Sequence, residues 1–336
     1  MSDHPAPEPR LRLVFGGDAM LGRLVNDAIG LHGPGYPLGA IAPLLRTADL
    51  AIVNLECAIT ASTRQWHGEP KAFYFGAPPQ AIESLTGAGI DLVSLANNHA
   101  LDFDVRGLLD TVDALDAHSI AHAGAGADLQ AALRPVIVER NGLRIGMAAF
   151  CDHQEDFAAG PARPGIAWLD LRDEPAALAA FSRALDALAR ADVDWPILSL
   201  HWGPNMAWRP SPRFRRLAHA AIDMGWKILF GHSAHVFQGI EWRNGAPIMY
   251  AAGDLVDDYY VDPTFCNDHQ LLFELQLGPD KVERIVLHPL FIADCRTIRA
   301  DSAQRAWIFR QMSELCAELG TPVHPDAHTL VIAPPA

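Results

Sequence analysis

Residues that can bind metal ions follow five apolar, strand-like segments of the sequence. They are Asp18, Glu56, Asn98, His99, His201, His232 and His235. In an α/β fold the loops that leave the carboxyl ends of the strands converge on one crevice, so we expect these side chains to meet. Carboxylate, amide and imidazole donors together suit Mn, Fe, Zn or Co, and a carboxylate can bridge two ions. The sequence therefore predicts a site for one or two divalent metal ions.

Each of these residues also has a purely structural interpretation. Asp18 can cap a following helix, Asn98 can be a turn residue, and His201 can be a hydrogen-bonded core histidine. His232 and His235 are the most specific local element, because a strand that ends in Gly-His-x-x-His places two imidazoles in one tight turn. The order of the complete set favours the metal site.

The elements that must position these side chains are short buried strands alternating with helices. The predicted strands cover residues 11–15, 50–54, 92–96, 197–200 and 228–230. The predicted helices cover residues 78–87, 105–118, 174–190, 212–224 and 302–319. Such alternation indicates a layered α/β fold.

Three antiparallel hairpins are predicted in addition. Two of them turn at Asn-Gly dipeptides, 141–142 and 244–245, which type I′ turns prefer. Their strands are 136–139 with 144–150, 238–242 with 247–251 and, around 279–280, 271–277 with 282–290. The hairpins favour a mixed sheet, or two packed sheets between helices, over a purely parallel sheet. We predict a disordered tail at 1–10 and one domain over 11–330.

Composition excludes several classes of protein. The 336 residues are half hydrophobic, and the formal net charge of -14 argues against non-specific nucleic-acid binding, which needs a basic surface. The first apolar run is too short for a signal peptide or a membrane span. Five scattered cysteines predict reduced thiols. We expect a cytoplasmic protein without membrane insertion, and the sequence leaves its oligomeric state open.

Six motifs occur in a characteristic order. They are GGDAMLGR at 16–23, NLE at 54–56, LANNHALD at 95–102, HWG at 201–203, GHSAHVFQGIE at 231–241 and IMYAAGD at 248–254. In this order they resemble the poly-γ-glutamate capsule synthesis (CapA/PgsA-like) family, a branch of the calcineurin-like metallophosphatase superfamily. The resemblance implies a four-layer αββα sandwich with a dinuclear metal centre.

The resemblance also implies a role for each candidate ligand. Asp18 would bind one metal, and Glu56 would occupy the bridging position. The second metal would take Asn98, His201 and His232, and His235 would return to the first. His99 would be an acid or base beside the metals, with Asp102 three residues later orienting its imidazole.

The sequence departs from this pattern at several positions. Met20 stands where metallophosphatases have a histidine, so one metal loses an imidazole ligand. Asn205 and Met206 replace a frequent Glu-Tyr pair, and Ser233 stands where a third histidine is often found. Asp254 replaces an asparagine and adds a carboxylate. These departures mean that the family's substrate cannot simply be transferred.

A cluster of arginines follows the HWG motif. Arg209, Arg213, Arg215 and Arg216 could hold a substrate carboxylate or phosphate, because guanidinium forks bind both groups bidentately. The alternative is a solvated helix face. Trp202 is a candidate wall for a bulky substrate, with core packing as the alternative.

Three functions are compatible with these residues, and the main hypothesis is an enzyme. It would transfer a Cα proton (epimerisation) in a ribosomally made peptide, using His99 and a second group across the substrate, for which His153, Asp254 and His288 are candidates. The first alternative is a metal-dependent phosphoesterase or hydrolase. The second is a soluble poly-γ-glutamate capsule biosynthesis factor. The expected partner is a peptide or another substrate that carries carboxylate or phosphate.

Overall fold

Two β-sheets form the centre of the molecule in the computed structural model, which describes residues 10–335. The larger sheet has ten strands, with the order β19-β20-β17-β16-β1-β2-β5-β6, and with β15 beside β1 and β18 beside β17. The smaller has six, ordered β13-β14-β12-β11-β9-β8. The remaining pairs are β3 with β4 and β7 with β10. The predicted tail lies outside the described residues, apart from Arg10.

The strands have the following bounds. They are β1 (Leu11–Ala19), β2 (Leu50–Leu55), β3 (Ala58–Ile59), β4 (Gly76–Ala77), β5 (Leu92–Ser94), β6 (Ala121–Ala123), β7 (Ala125–Gly126), β8 (Val136–Arg140), β9 (Leu143–Cys151), β10 (Gly165–Ile166), β11 (Trp195–His201), β12 (Ile228–His232), β13 (Ile240–Arg243), β14 (Ala246–Met249), β15 (Asp254–Val256), β16 (His269–Leu277), β17 (Val282–Ala293), β18 (Arg296–Arg299), β19 (His324–Asp326) and β20 (Thr329–Ile332).

Helices cover the two sheets. They are α1 (Arg23–His32), α2 (Ala42–Leu45), α3 (Ile82–Ala88), α4 (Asp104–Ala117), α5 (Leu129–Leu133), α6 (Glu174–Arg190), α7 (Pro212–Met224) and α8 (Ser302–Glu318). α6 and α7 bury Phe181 and Leu217 against the smaller sheet, in a core of their own. The larger core lies between the two sheets and under α1 to α4. The result is the expected αββα sandwich, and none of the helices described here has the length and apolarity needed to cross a bilayer.

The predicted elements are confirmed, and most differ only in their ends. Both Asn-Gly turns are left-handed at both residues, with φ of 51° and 78° at Asn141 and Gly142, as a type I′ turn requires. One structural alternative for Asp18 is wrong: it lies inside β1, and α1 begins at Arg23 after Gly22, which makes no side-chain cap.

Parallel pairing brings the ends of the motif-bearing strands together. β1 runs parallel to β2, and β2 to β5, while β11 runs parallel to β9 and β12 in the other sheet. β15 joins β1 in parallel and places Asp254 opposite Asp18. This close approach requires Gly17, since a Cβ there would lie 1.8 Å from the Gly253 carbonyl oxygen. The carboxyl ends of both sheets therefore meet at one site.

Candidate metal centre

Asp18 stands at the centre of a buried cluster of carboxylates and imidazoles. Its side chain is completely buried and is oriented by Asn54 Nδ2, 2.8 Å from Oδ1, and by the backbone N–H of Ser233, 3.1 Å from Oδ2. Two sets of possible ligand atoms include it, each set lying within 4.8 Å: Asp18, His201 and His232, and Asp18, Glu56, His235 and Asp254. Asp18 is therefore the carboxylate common to both sets.

His201 and His232, at the ends of two strands of the smaller sheet, complete the cluster. His201 Nδ1 lies 2.9 Å from His232 Nδ1, and His201 Nε2 lies 2.9 Å from Asn98 Oδ1. Glu56 Oε1 is 3.8 Å from His201 Nε2, so a second carboxylate also lies between the two sets. The structure thus brings all six predicted metal ligands together. The resemblance implied Glu56 as the bridge, whereas the geometry gives Asp18 the more central position.

The chemistry of this cluster fits divalent cations. Glu56 Oε2 and Asp254 Oδ2 are buried without a hydrogen-bond partner among residues 10–335, and such groups are costly unless a ligand satisfies them. Burial, followed by the charge of Asp254, raises the pKa of Asp18 to about 7, and burial raises the pKa of Asp254 well above its ordinary value. Burial also lowers the pKa of His232 to about 3. A cation would compensate the crowded carboxylates and would meet neutral imidazoles, which is the form that binds metal.

The structure shows the surroundings of two residues that depart from the family pattern, Met20 and Asp254. Met20 is fully buried, and its sulfur accepts the Gly22 N–H at 3.0 Å, so it does not replace a ligand. Asp254 supplies a carboxylate instead, with Oδ1 2.9 Å from His235 Nδ1. Its sequence-based assignment as an acid or base across the substrate lacks geometric support, because it lies within the metal cluster. Asp254 therefore adds a carboxylate to a donor set that lacks the histidine replaced by Met20.

His99 lies at the boundary between the metal cluster and a pocket. Its Nδ1 is 2.6 Å from Asp102 Oδ2, as predicted, and its Nε2 is 3.9 Å from Glu56 Oε1. Lys71, which sequence reasoning missed, holds the other oxygen of Asp102 at 2.6 Å and also contacts the Asn98 carbonyl oxygen. Burial lowers the pKa of His99 to about 4. The imidazole is therefore neutral at pH 7, and its bond to Asp102 places the proton on Nδ1 and leaves Nε2 as the acceptor.

The pocket beside His99 has a volume of 370 Å³ and a largely aromatic wall. Phe75 stacks on the His99 ring, with centroids 3.8 Å apart, and Tyr259 packs edge-on against His235. The Tyr259 hydroxyl is buried and has no hydrogen-bond partner in the described part of the chain. Burial, followed by the charge of Glu56, raises its pKa well above the ordinary value, so the hydroxyl stays protonated and can donate.

The arginines predicted to bind substrate lie elsewhere, mostly in ion pairs. Arg209 pairs with Glu318, and Arg215 pairs with Glu241 at 2.8 Å. Arg216 likewise pairs with Glu174 at 2.7 Å on the surface. A substrate role for these groups has no geometric support, because their guanidinium groups are already engaged by carboxylates.

Arg213 and Trp202 also lie outside the His99 pocket. Arg213 lines a separate 330 Å³ pocket with Asp152 and Glu155. Trp202 is 4% exposed, packs on Phe214, and donates its indole N–H to a backbone oxygen at 2.9 Å. Core packing, the alternative weighed from sequence, describes Trp202 better than a substrate wall does.

Neither of the remaining candidates for a second acid or base faces this pocket. His153 Nε2 lies 2.8 Å from the Gly203 carbonyl oxygen, and its Nδ1 lies 3.1 Å from Asp152 Oδ1, behind His201. His288 Nε2 is bonded to Glu274, which also binds Arg12 at 2.7 Å. The second group that Cα epimerisation needs across the substrate is therefore not supplied by His153 or His288.

The chain is similar to several known proteins. A family model described as "Bacterial capsule synthesis protein PGA_cap" matches residues 12–259. "Probable polyglutamine synthesis accessory protein" of Mycobacterium tuberculosis is 34% identical over 99% of this chain and 91% of its own length. "PGA biosynthesis protein CapA" of Bacillus subtilis is 27% identical over 89% of this chain and 77% of its own. Among solved structures, a 5'-nucleotidase precursor from Thermus thermophilus matches 93% of this chain and 59% of its own length, with 12% identity and a TM-score of 0.43.

The matched region contains every residue of the metal cluster. It begins before Asp18 and ends at Tyr259, so it also includes the His99 pocket residues up to that position. The family model and the relative at 34% identity agree with the resemblance found in the motifs. The chain belongs to the bacterial capsule synthesis protein PGA_cap family.

Proposed function

We propose that this protein is a metal-dependent accessory hydrolase that cleaves glutamyl bonds during synthesis of a polyglutamate-type polymer. The observation that carries the proposal is the Asp18-centred cluster beside the neutral, Asp102-bound His99. The names of the relatives, which refer to polyglutamine and PGA synthesis, support the choice of polymer. The relatives and the geometry support this accessory role better than epimerisation.

The metal would be held by six side chains, and its chemistry is well defined. The ligands would be Asp18, Glu56, His201, His232, His235 and Asp254, with Asn98 adjoining His201. Divalent cations in such a set polarise a carbonyl or phosphoryl oxygen and lower the pKa of a water molecule.

The protein's own groups would move the proton. His99 Nε2 accepts a proton from the attacking water and returns it to the leaving amine nitrogen. Asp102 fixes the tautomer, and Lys71 balances the charge of that carboxylate. The Tyr259 hydroxyl, which stays protonated, donates to a substrate oxygen as charge develops there. Phe75 closes one side of His99 and excludes water.

The test is hydrolysis of poly-γ-glutamate by the Mn²⁺-loaded protein, followed by mass spectrometry of the products. We expect glutamyl products from the wild type and a loss of at least a hundredfold in His99→Gln with unchanged metal content. The matched control is His118→Gln, an exposed histidine, which should keep full activity. An aryl phosphate assayed in parallel tests phosphoester hydrolysis. Phosphate release without glutamyl products, or an unchanged rate in His99→Gln, would refute the proposal.

A further inference from the structure

The His99 pocket contains two oppositely charged side chains that the proposed chemistry does not use, Arg23 and Asp262. The Arg23 guanidinium lies over the rings of Phe73 and Phe75, at 5.0 and 5.7 Å from their centroids. Its Nε is 3.3 Å from Asp258 Oδ2. Within the described residues the terminal nitrogens of Arg23 make no hydrogen bond. The aromatic rings and Asp258 therefore hold the guanidinium group in place, while its terminal N–H groups stay available to a ligand.

The backbone of Arg23 gives a second indication that its position is specific. Its φ of 53° is left-handed, a backbone conformation that is strained for a residue other than glycine. Such strain clusters at ligand-binding sites. The position begins α1, directly after the GGDAMLG segment that delivers Asp18.

Phe75 contacts both the Arg23 guanidinium group and the His99 ring. The same ring lies 5.7 Å from the guanidinium carbon and 3.8 Å from the His99 ring centre. Measured through the Phe75 ring, the guanidinium carbon therefore lies no farther from the centre of the His99 ring than the length of about three extended residues, at roughly 3.5 Å each. A γ-linked glutamyl unit has a longer backbone than an α-linked residue, so a ligand group held by Arg23 lies within one or two such units of the bond that reaches His99.

Asp262 makes the pocket unsuited to a purely anionic ligand. One of its oxygens accepts the backbone N–H groups of Thr264 and Phe265, at 2.7 and 3.2 Å, which fixes the side chain at the pocket edge. The protein as a whole carries a formal charge of -14, and the pocket adjoins buried carboxylates. A ligand carboxylate is therefore favoured beside Arg23, whereas a cationic group is favoured beside Asp262.

We propose that Arg23 and Asp262 bind the carboxylate and the ammonium group of one free α-amino acid head. In a γ-linked glutamyl chain that pair of groups on one carbon exists only at the amino end. The pocket therefore selects this chain end and places the first glutamyl bond beside His99. This inference rests on the proposed glutamyl hydrolysis, and it adds where on the chain cleavage occurs.

The experiment measures binding and cleavage of γ-linked triglutamate by the Mn²⁺-loaded full chain, with a free or an acetylated amino end. We expect at least tenfold weaker binding for Arg23→Ala, for Asp262→Asn and for the acetylated probe, at unchanged metal content. Arg23→Lys, which keeps the charge but loses the fork, should be intermediate. Arg296→Ala is the control, since Arg296 also lies over an aromatic ring, Tyr36, but outside this pocket.

The outcomes separate this inference from the proposed function. Probe binding that needs Arg23, without cleavage, would support end recognition and refute hydrolysis. Cleavage with unchanged affinity in Arg23→Ala, cleavage of the acetylated probe at the rate of the free one, or equal binding of both probes would overturn end recognition. Absence of any binding would also overturn it. Inorganic phosphate is the comparison ligand, and tighter Arg23-dependent binding of phosphate would overturn the carboxylate assignment. If Arg23→Ala loses metal, the affinities of Arg23→Lys and Asp262→Asn for the two probes decide whether the chain end is recognised.

Discussion

Removal of the Lys71 ammonium should destabilise the protein strongly, because it leaves Asp102 as a buried charge. The side chains of Lys71 and Asp102 are 6% and 0% exposed, and their charged atoms are 2.6 Å apart. At an effective dielectric constant of about 20, that separation corresponds to about 6 kcal/mol of gross attraction. Breaking such a pair costs about 3–5 kcal/mol. Because Phe75 N–H and His99 still donate to Asp102, we expect the lower end, about 3 kcal/mol, for Lys71→Met.

The assay is urea unfolding after chelator treatment, so that metal binding does not contribute to the free energy of unfolding. Asp102→Asn combined with Lys71→Met should cost less than the two single changes together, because the pair is coupled. Arg209→Met is the matched control: its ion pair with Glu318 is exposed, and the expected cost is about 0–1 kcal/mol. A cost below about 1 kcal/mol for Lys71→Met, or strict additivity, would refute the reasoning.

Three further changes test other parts of the structure. Glu274→Gln should cost about 1–3 kcal/mol at pH 7. Burial raises the pKa of Glu274, but hydrogen bonds from His288 and Arg12 outweigh it and hold that pKa below the ordinary 4.5. Urea titrations should therefore show the difference in stability from wild type shrinking as pH falls below that value. Gly17→Ala should lower metal content and stability, since its Cβ would meet the Gly253 carbonyl oxygen, whereas Gly30→Ala, with nothing within 4 Å, should be neutral or slightly stabilising by thermal unfolding. Tyr259→Phe should lower kcat about a hundredfold at constant metal content, and an unchanged kcat would exclude the hydroxyl as a donor.

The fold, and the side chains that the structure gathers into one cluster, could be predicted because their signals are local. Apolar runs that end in Asp18, Glu56 or His232 mark strands and ligands at the same time, and Asn-Gly dipeptides mark hairpins. Several short elements were missed, among them β18 and β19, since two- to four-residue strands carry little periodicity.

The roles of other site residues depend on contacts that no local pattern records. Lys71 is a single lysine in an irregular loop, and only tertiary packing brings it to Asp102. Asp254 was expected as an acid or base, but the parallel pairing of β15 with β1 places it opposite Asp18, within the cluster of candidate metal ligands. The charge of Arg209 suggested a contact with substrate, whereas its guanidinium lies in an ion pair with Glu318. Spacing thus predicted which candidate metal ligands lie together, whereas the position of Lys71 and the ion pair of Arg209 required the structure.

Metal content per chain tests the central claim most directly. After loading with Mn²⁺ and removal of free ions, elemental analysis should find up to two ions in the wild type, fewer in Asp254→Asn and essentially none in Asp18→Asn, because Asp18 belongs to both donor sets. Asp186→Asn, an exposed aspartate on α6, is the control and should match the wild type. A full complement of metal in Asp18→Asn, or none in the loaded wild type, would contradict the metal centre described here.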